Sequence, residues 1–198
     1  IEKKGATLRT GAMVGVRNAI RNSVLRGPMH RALWLNDPDS LMLRTAGTKL
    51  TPAQRRSQIN ALALTGGLLL YSDDFERLAA ETLAEITTIQ RIAGECFNGR
   101  LLPWDMMEQE LPAILLNTAG YLGVFNMGPK RAKTVHVPLS AMRAEAETVN
   151  IIWDAAAPGD WNVLQEVWSA ERVRPERGQL VVGPLGPFES KLFRFVRG

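Results

Sequence analysis

Between Ala12 and Arg26 the apolar positions Met13, Val16, Ala19, Ile20 and Val24 recur at three- and four-residue steps. That is the period of one helix face, so the pattern predicts an amphipathic helix, which Gly27 and Pro28 stop. Ala32-Leu33-Trp34-Leu35 is a short apolar run ending at Asn36-Asp37-Pro38-Asp39, which predicts a strand buried on both faces that runs into a polar loop. Thr51-Pro52-Ala53-Gln54 marks a helix start: Thr51 can cap backbone donors, Pro52 suits the first helical position, and Gln54 completes a capping box. This helix is predicted to run to about Thr65, where Gly66-Gly67 end it. Leu68-Leu69-Leu70-Tyr71 repeats the buried-strand pattern and delivers Ser72-Asp73-Asp74 at its C-terminal end. Asp73 or Asp74 is then placed to cap a third helix from Phe75 to about Ala93, with Leu78, Thr82, Leu83, Ile86, Ile89 and Ile92 on its inner face.

Helix, strand, helix, strand, helix with short connections argues for right-handed parallel αβ units. Two strands cannot close a barrel, which needs eight strands and roughly 250 residues. Residues 1–95 are therefore expected to be the last αβ units of a (β/α)8 catalytic barrel, whose other strands precede Ile1. After Gly94 the helical period is lost, and Asn98-Gly99-Arg100 with Leu102-Pro103-Trp104 reads as a linker, 96–110. From 111 to 198 short strands alternate with turn residues: Ile114 to Asn117, Tyr121 to Asn126, Thr134 to Leu139, Thr148 to Trp153, Asn162 to Trp168, Gln179 to Val182 and Ser190 to Val196. In Thr134 to Leu139 and Lys191 to Phe195 every second residue is apolar, so this part is expected to be a C-terminal antiparallel β-sandwich. The fold class is thus α/β plus all-β.

Composition narrows the function. The 198 residues are 45% hydrophobic and 22% charged, a globular profile, and no run approaches the roughly 18 apolar residues of a membrane helix. The single cysteine, Cys96, excludes an internal disulfide framework, and with only His30 and His136 available no metal site is expected. A cytoplasmic setting fits this cysteine usage, and Cys96 reads as an inert, partly buried thiol. The formal charge of +4 raises nucleic acid as a partner, but the basic residues are dispersed, and Arg17 and Arg21 at a four-residue spacing read as one solvated helix face. Neither nucleic acid nor membrane is expected as a partner, and homo-oligomerisation is left open.

The stretch Arg31 to Asp39, followed by Leu50-Thr51 and then Ala63-Leu64-Thr65-Gly66-Gly67-Leu68-Leu69-Leu70-Tyr71-Ser72-Asp73-Asp74, resembles the clan D glycoside hydrolases, the melibiase-like α-galactosidases of families twenty-seven and thirty-six. Those families carry a Trp, then Asn-Asp-Pro-Asp, a Leu-Thr helix cap, and a small-residue run into Ser-Asp-Asp or Ser-Asn-Asp. Tyr121 to Asn126, Val163 to Glu171 and Gly186 to Phe195 resemble their C-terminal β-domain. The resemblance implies retaining hydrolysis of terminal α-galactosides in an oligosaccharide or glycoconjugate, without metal or organic cofactor. It also implies a nucleophilic Asp and an acid/base Asp on earlier barrel strands. Neither motif occurs in this chain, so both carboxylates are expected upstream of Ile1, and the chain is expected to be inactive alone.

A retaining glycosidase needs two carboxyl groups about 5 Å apart. Asp37, Asp39, Asp73 and Asp74 are the carboxylates that the sequence places at strand C-termini, the catalytic face of a barrel, so the loops after Leu35 and Tyr71 are expected to open on one rim, and Asp39 with Asp73 is one pairing to test. The other reading is structural: Asn36-Asp37-Pro38-Asp39 suits a tight turn and Ser72-Asp73-Asp74 a helix start, so these residues organise loops or touch the substrate pocket. Trp34 divides between core packing and pocket wall. Trp153, Trp161 and Trp168 read as core or interdomain packing, with a carbohydrate-binding or scaffold module as the alternative. His30 and His136 lack partner motifs and read as structural or surface residues. Gly66-Gly67 precedes a strand, the reverse of a phosphate-binding loop.

Overall fold

The computed structural model of the chain describes residues 15–148 and 162–197. The first helix, α1, spans Val16–Arg26 and buries Ile20, Ser23 and Val24; Ala12 and Met13 lie outside the described residues. It stops where Gly27 passes under Leu101, since a Cβ on Gly27 would stand 2.5 Å from the Leu101 Cδ2.

Helix α2, Pro52–Thr65, begins as its sequence predicts. The Gln54 N–H donates to Thr51 Oγ1 at 3.2 Å, and the Thr51 N–H donates to Gln54 Oε1 at 2.9 Å. Gly66 closes it with φ 61°, in the left-handed region that a side chain disfavours. A Cβ there would also lie 2.4 Å from the Cys96 carbonyl oxygen. Every residue from Ser57 to Thr65 is buried, because α1 and α3 flank this helix and a sheet lies against it.

A short 3-10 turn at Phe75–Arg77 precedes helix α3, Ala80–Asn98. Asp74 caps that turn, so the expected single helix from Phe75 is divided. Helix α3 then runs through Gly94, whose missing Cβ faces open space. One interior glycine costs about 1 kcal/mol, less than the burial of Ile89, Ile92, Ala93 and Cys96 returns. Leu83, expected inside, lies on the outer side of the helix.

Two short strands, β1 (Ser40–Leu41) and β2 (Leu70–Tyr71), pair in parallel, with Ser40 opposite Leu70 and Leu41 opposite Tyr71. The strand expected at Ala32–Leu35 does not form. Those residues belong to a turn, and Leu33 and Leu35 are 71% and 67% exposed. The strand starts later, where Leu41 and Leu43 are fully buried. Nor is β2 covered on both faces, since Leu68 and Leu70 are about half exposed.

Of the stretch 96–110 read as a linker, the residues to Asn98 finish α3, and Leu101–Pro103 form strand β3. With β4 (Ile114–Asn117), β5 (Tyr121–Phe125), β7 (Leu164–Glu166), β8 (Arg172–Val173) and β10 (Ser190–Phe195), it builds a six-stranded antiparallel sheet in the order β3-β4-β5-β10-β7-β8. Strands β6 (Lys133–Val137) and β9 (Leu180–Leu185) form a second, two-stranded antiparallel sheet. Helix α4, Leu139–Thr148, follows β6. The strand expected at Thr148 to Trp153 meets the end of α4 at Thr148 and otherwise lies outside the described residues, as do Trp153 and Trp161.

Alternation along the strands assigns the two cores. Leu115, Tyr121, Phe125 and Leu192 pack with Ile59, Leu62, Leu64, Ile89 and Ile92 of the helices. Ile114, Leu116, Leu122, Val124 and Phe193 point to the other face and pack with Val135, Val137, Leu180, Val182 and Met142. Both faces of the six-stranded sheet are therefore buried, which is why β4 and β5 have no exposed position.

Candidate functional site at the strand ends

In a parallel pair the two C-terminal ends lie side by side, so the β1–β2 register decides which polar clusters can meet. Asn36–Asp39 precede β1, while Ser72–Asp74 follow β2. The two acidic clusters therefore stand at opposite ends of the pair, contrary to the expectation that both open on one rim. Asp39 adjoins Ser40, whose partner is Leu70, whereas Asp73 bonds to Leu43, four residues and on the order of 13 Å of extended chain further along.

The first cluster organises a turn. Asn36 is buried: its N–H donates to His30 Nδ1 at 3.0 Å, its Nδ2 donates to the Ser23 carbonyl at 3.0 Å, and its own carbonyl accepts from the Leu68 N–H at 2.9 Å. Asp37 Oδ1 accepts from the Asp39 N–H at 3.0 Å, and Asp39 Oδ1 accepts from the Ser40 N–H at 2.7 Å. Asp39 adopts φ 72°, a conformation that Asp and Asn tolerate through such local bonds. Trp34 sits in the same turn, 45% exposed, with its carbonyl accepting from the Arg31 N–H at 2.7 Å; it is neither a strand nor a core residue.

The second cluster is committed differently. Ser72 donates both its N–H and its Oγ hydroxyl to the Leu41 carbonyl, at 3.2 and 3.3 Å. The Asp73 side chain is buried: Oδ2 accepts from the Leu43 N–H, and Oδ1 pairs with Arg44 Nη1 at 3.4 Å. Asp74 is exposed, accepting from the Glu76 N–H on Oδ1 at 3.2 Å and from Arg77 Nε on Oδ2 at 3.1 Å.

The rim of Ser72–Asp74 is shared instead by the segment after β1. Arg44, Gly47, Asp73, Asp74, Arg77 and Thr82 are among the residues that line a recess of about 440 Å³. Two carboxylates and two guanidiniums face it, and each carboxylate oxygen already has a donor. The recess can offer polar contacts to a ligand, but among the described residues it holds no free carboxylate pair for acid–base work. Arg44 and Arg77 were not singled out in the sequence. The alternation Leu41-x-Leu43 would have placed the strand, and with it Arg44 at the rim.

The remaining expectations resolve as packing or as surface. Cys96 is fully buried, and burial, with the Glu95 charge second, pushes its thiol well up. Trp168 packs against the helices: its ring lies 3.7 Å from the Arg56 guanidinium carbon, and its Nε1 donates to Asn60 Oδ1 at 2.8 Å. His136 is exposed on β6.

No protein-family model matches the chain. Solved structures do. A GH27 β-L-arabinopyranosidase from Geobacillus stearothermophilus matches with TM-score 0.62 and 14% identity over 92% of this chain and 42% of its own. The chain carries the fold of the melibiase-like glycoside hydrolases over part of their length. Within that fold, α-galactosidase I from Mortierella vinacea matches with TM-score 0.59 and 14% identity over 91% of this chain and 44% of its own. An isomalto-dextranase from Arthrobacter globiformis T6 matches with TM-score 0.57 and 12% identity, over 87% and 28%. The chain thus spans less than half the length of each of these three proteins.

Proposed function

We propose that this chain is part of a retaining exo-glycosidase that hydrolyses terminal α-galactosides. It supplies rim loops and a C-terminal β-sandwich, while the nucleophile and the acid/base carboxylate come from polypeptide preceding Ile1. The observation that carries this reading is the short strand pair: β1 and β2 run parallel, as barrel strands do, yet they are two residues long, Leu70 within β2 is exposed, and exposed Leu33, Trp34, Leu35 and Leu68 lie on the chain leading into them. Such an apolar edge is what further barrel strands would cover. The committed carboxylates support a scaffold role for Asp39 and a role as recess wall for Asp73 and Asp74, and the single cysteine supports a cytoplasmic setting.

The test is turnover of an aryl α-galactoside. The chain alone is expected to show none, and joined to the remaining strands of its barrel it is expected to release galactose with the α-configuration, followed by NMR. Robust turnover by the isolated chain, abolished by Asp39→Asn, overturns the assignment of the catalytic carboxylates. The alternative reading as a carbohydrate-binding module draws no support from Trp168, whose ring is engaged by Arg56 and Asn60.

A further inference from the structure

The Asn36 N–H points at His30 Nδ1, 3.0 Å away. A ring nitrogen that accepts a hydrogen bond carries no proton, so His30 is neutral, with its hydrogen on Nε2. The ring is buried and stands edge-on to Phe97, centroids 5.5 Å apart. Among the described residues the groups facing it are few. Its own turn brings the Arg31 guanidinium, which donates to the Asn98 carbonyl at 3.2 Å and lies 5.3 Å over the Phe97 ring. The end of α3 brings the Phe97 ring and backbone, and the turn brings the Asn36 amide. None of these is a carboxylate that would welcome an imidazolium. Burial first, then Arg31, hold the His30 pKa below its ordinary 6.5, and the Phe97 backbone opposes them.

This one bond anchors a junction. Asn36 is tied to α1 through Ser23 and to the chain leading into β2 through Leu68, and a Cβ on Gly67 would stand 2.3 Å from the Asn36 carbonyl oxygen. The turn so held carries Trp34. We propose that His30 is an acid-sensitive latch: uptake of a proton at Nδ1 sets two donors against each other, and the turn carrying Trp34 releases from α1 and from the start of β2. The sign follows from linkage. The open turn exposes an ordinary imidazole that binds a proton near pH 6.5, while the closed turn binds it only at lower pH. The closed form is therefore fully favoured above about pH 6.5, and opening rises by up to about tenfold per pH unit as the pH falls toward the folded-state pKa. The latch does not depend on the glycosidase reading.

Hydrogen exchange of the Asn36 and Leu68 amides, corrected for intrinsic rates, tests this between about pH 7.5 and about pH 5. Protection is expected to fall by up to about tenfold per pH unit in the wild-type chain. It should stay flat in His30→Asn, which keeps an acceptor near the Nδ1 position and does not titrate. His136→Gln, at the other histidine, should behave as wild type. Flat protection in the wild type, or the same fall in His30→Asn, overturns the proposal. Should His30→Asn fail to fold, the imidazole 15N spectrum of the wild type decides: the latch requires a bare Nδ1 at neutral pH and an Asn36 amide shift that titrates with the His30 ring.

Discussion

Trp168 reaches from the turn after β7 to the middle of α2, where its indole N–H donates to Asn60 Oδ1 at 2.8 Å. Asn60 is fully buried, and its Nδ2 donates to Ser190 Oγ at 2.9 Å, so one side chain of α2 holds two points of the six-stranded sheet. Arg56, one turn earlier, covers the same indole and pairs with Glu85 of α3 at 2.6 Å. Helices and sheet also share one apolar cluster. Urea unfolding followed by far-UV circular dichroism and by tryptophan emission is therefore expected to give coincident single transitions. Trp168→Phe leaves Asn60 Oδ1 buried without its donor and should lower stability by about 1–3 kcal/mol. Separate transitions for the helical and the sheet parts would refute the coupling.

Asp73 and Asp39 should respond differently to the same change. Asp73→Asn weakens the pairing with Arg44 and turns one acceptor oxygen into a donor beside Leu43, so a loss of about 1–3 kcal/mol is expected. Asp39→Asn keeps an acceptor for the Ser40 N–H and suits φ 72°, so its effect should stay within about 0.5 kcal/mol. Asp39→Ala should cost about 1–2 kcal/mol, because alanine resists the left-handed conformation. Chemical denaturation of the three variants checks the ranking.

Cys96 offers a reporter of global opening. Only the thiolate reacts with alkylating reagents, and burial pushes this thiol well up. Its labelling in the native chain is expected to be negligible near neutral pH and to follow the unfolding curve in urea, read by mass spectrometry. Fast labelling without denaturant would contradict the packing of the α3 C-terminus against α2 and the sheet.

Local chemistry was legible in the sequence, and burial by distant segments was not. Thr51, Pro52, Gln54 and Gly66 set α2 by bonds within a few residues, and its ends came out as predicted. The runs at Ile114 and Tyr121 likewise gave β4 and β5. Ala32–Leu35 carried an equally apolar pattern, but nothing among the described residues covers it, and the turn chemistry of Asn36 and Asp39 prevailed. The same displacement misplaced the candidate site: once the strand begins at Ser40, Asp39 leaves the rim and Arg44 joins it. Helix α4 was missed although Leu139 and Met142 have helical spacing within an Ala- and Glu-rich stretch, because the strand read at Thr134 was carried through Leu139.

Asn117 closes the ends of two helices at once. It is fully buried at the end of β4, and its Nδ2 donates to the Leu64 carbonyl of α2 at 2.8 Å and the Cys96 carbonyl of α3 at 3.4 Å. Its Oδ1 accepts from the Ala119 N–H at 2.9 Å, which shapes the turn into β5. These carbonyls belong to last helical turns, where intrahelical donors run out; the Cys96 carbonyl also accepts from the Gly99 N–H at 3.0 Å. Gly99 has to be glycine for this to work, since a Cβ there would sit 2.1 Å from Asn117 Oδ1. Asn117→Ala is therefore expected to strand buried polar groups and cost about 1–3 kcal/mol, with amide exchange quickening at the C-terminal ends of both α2 and α3. Asn117→Asp replaces the donor with two acceptors facing carbonyl oxygens and should be worse than alanine near neutral pH. Equal stability for Asn117→Asp and wild type would show that this side chain does not hold the helices to the sheet.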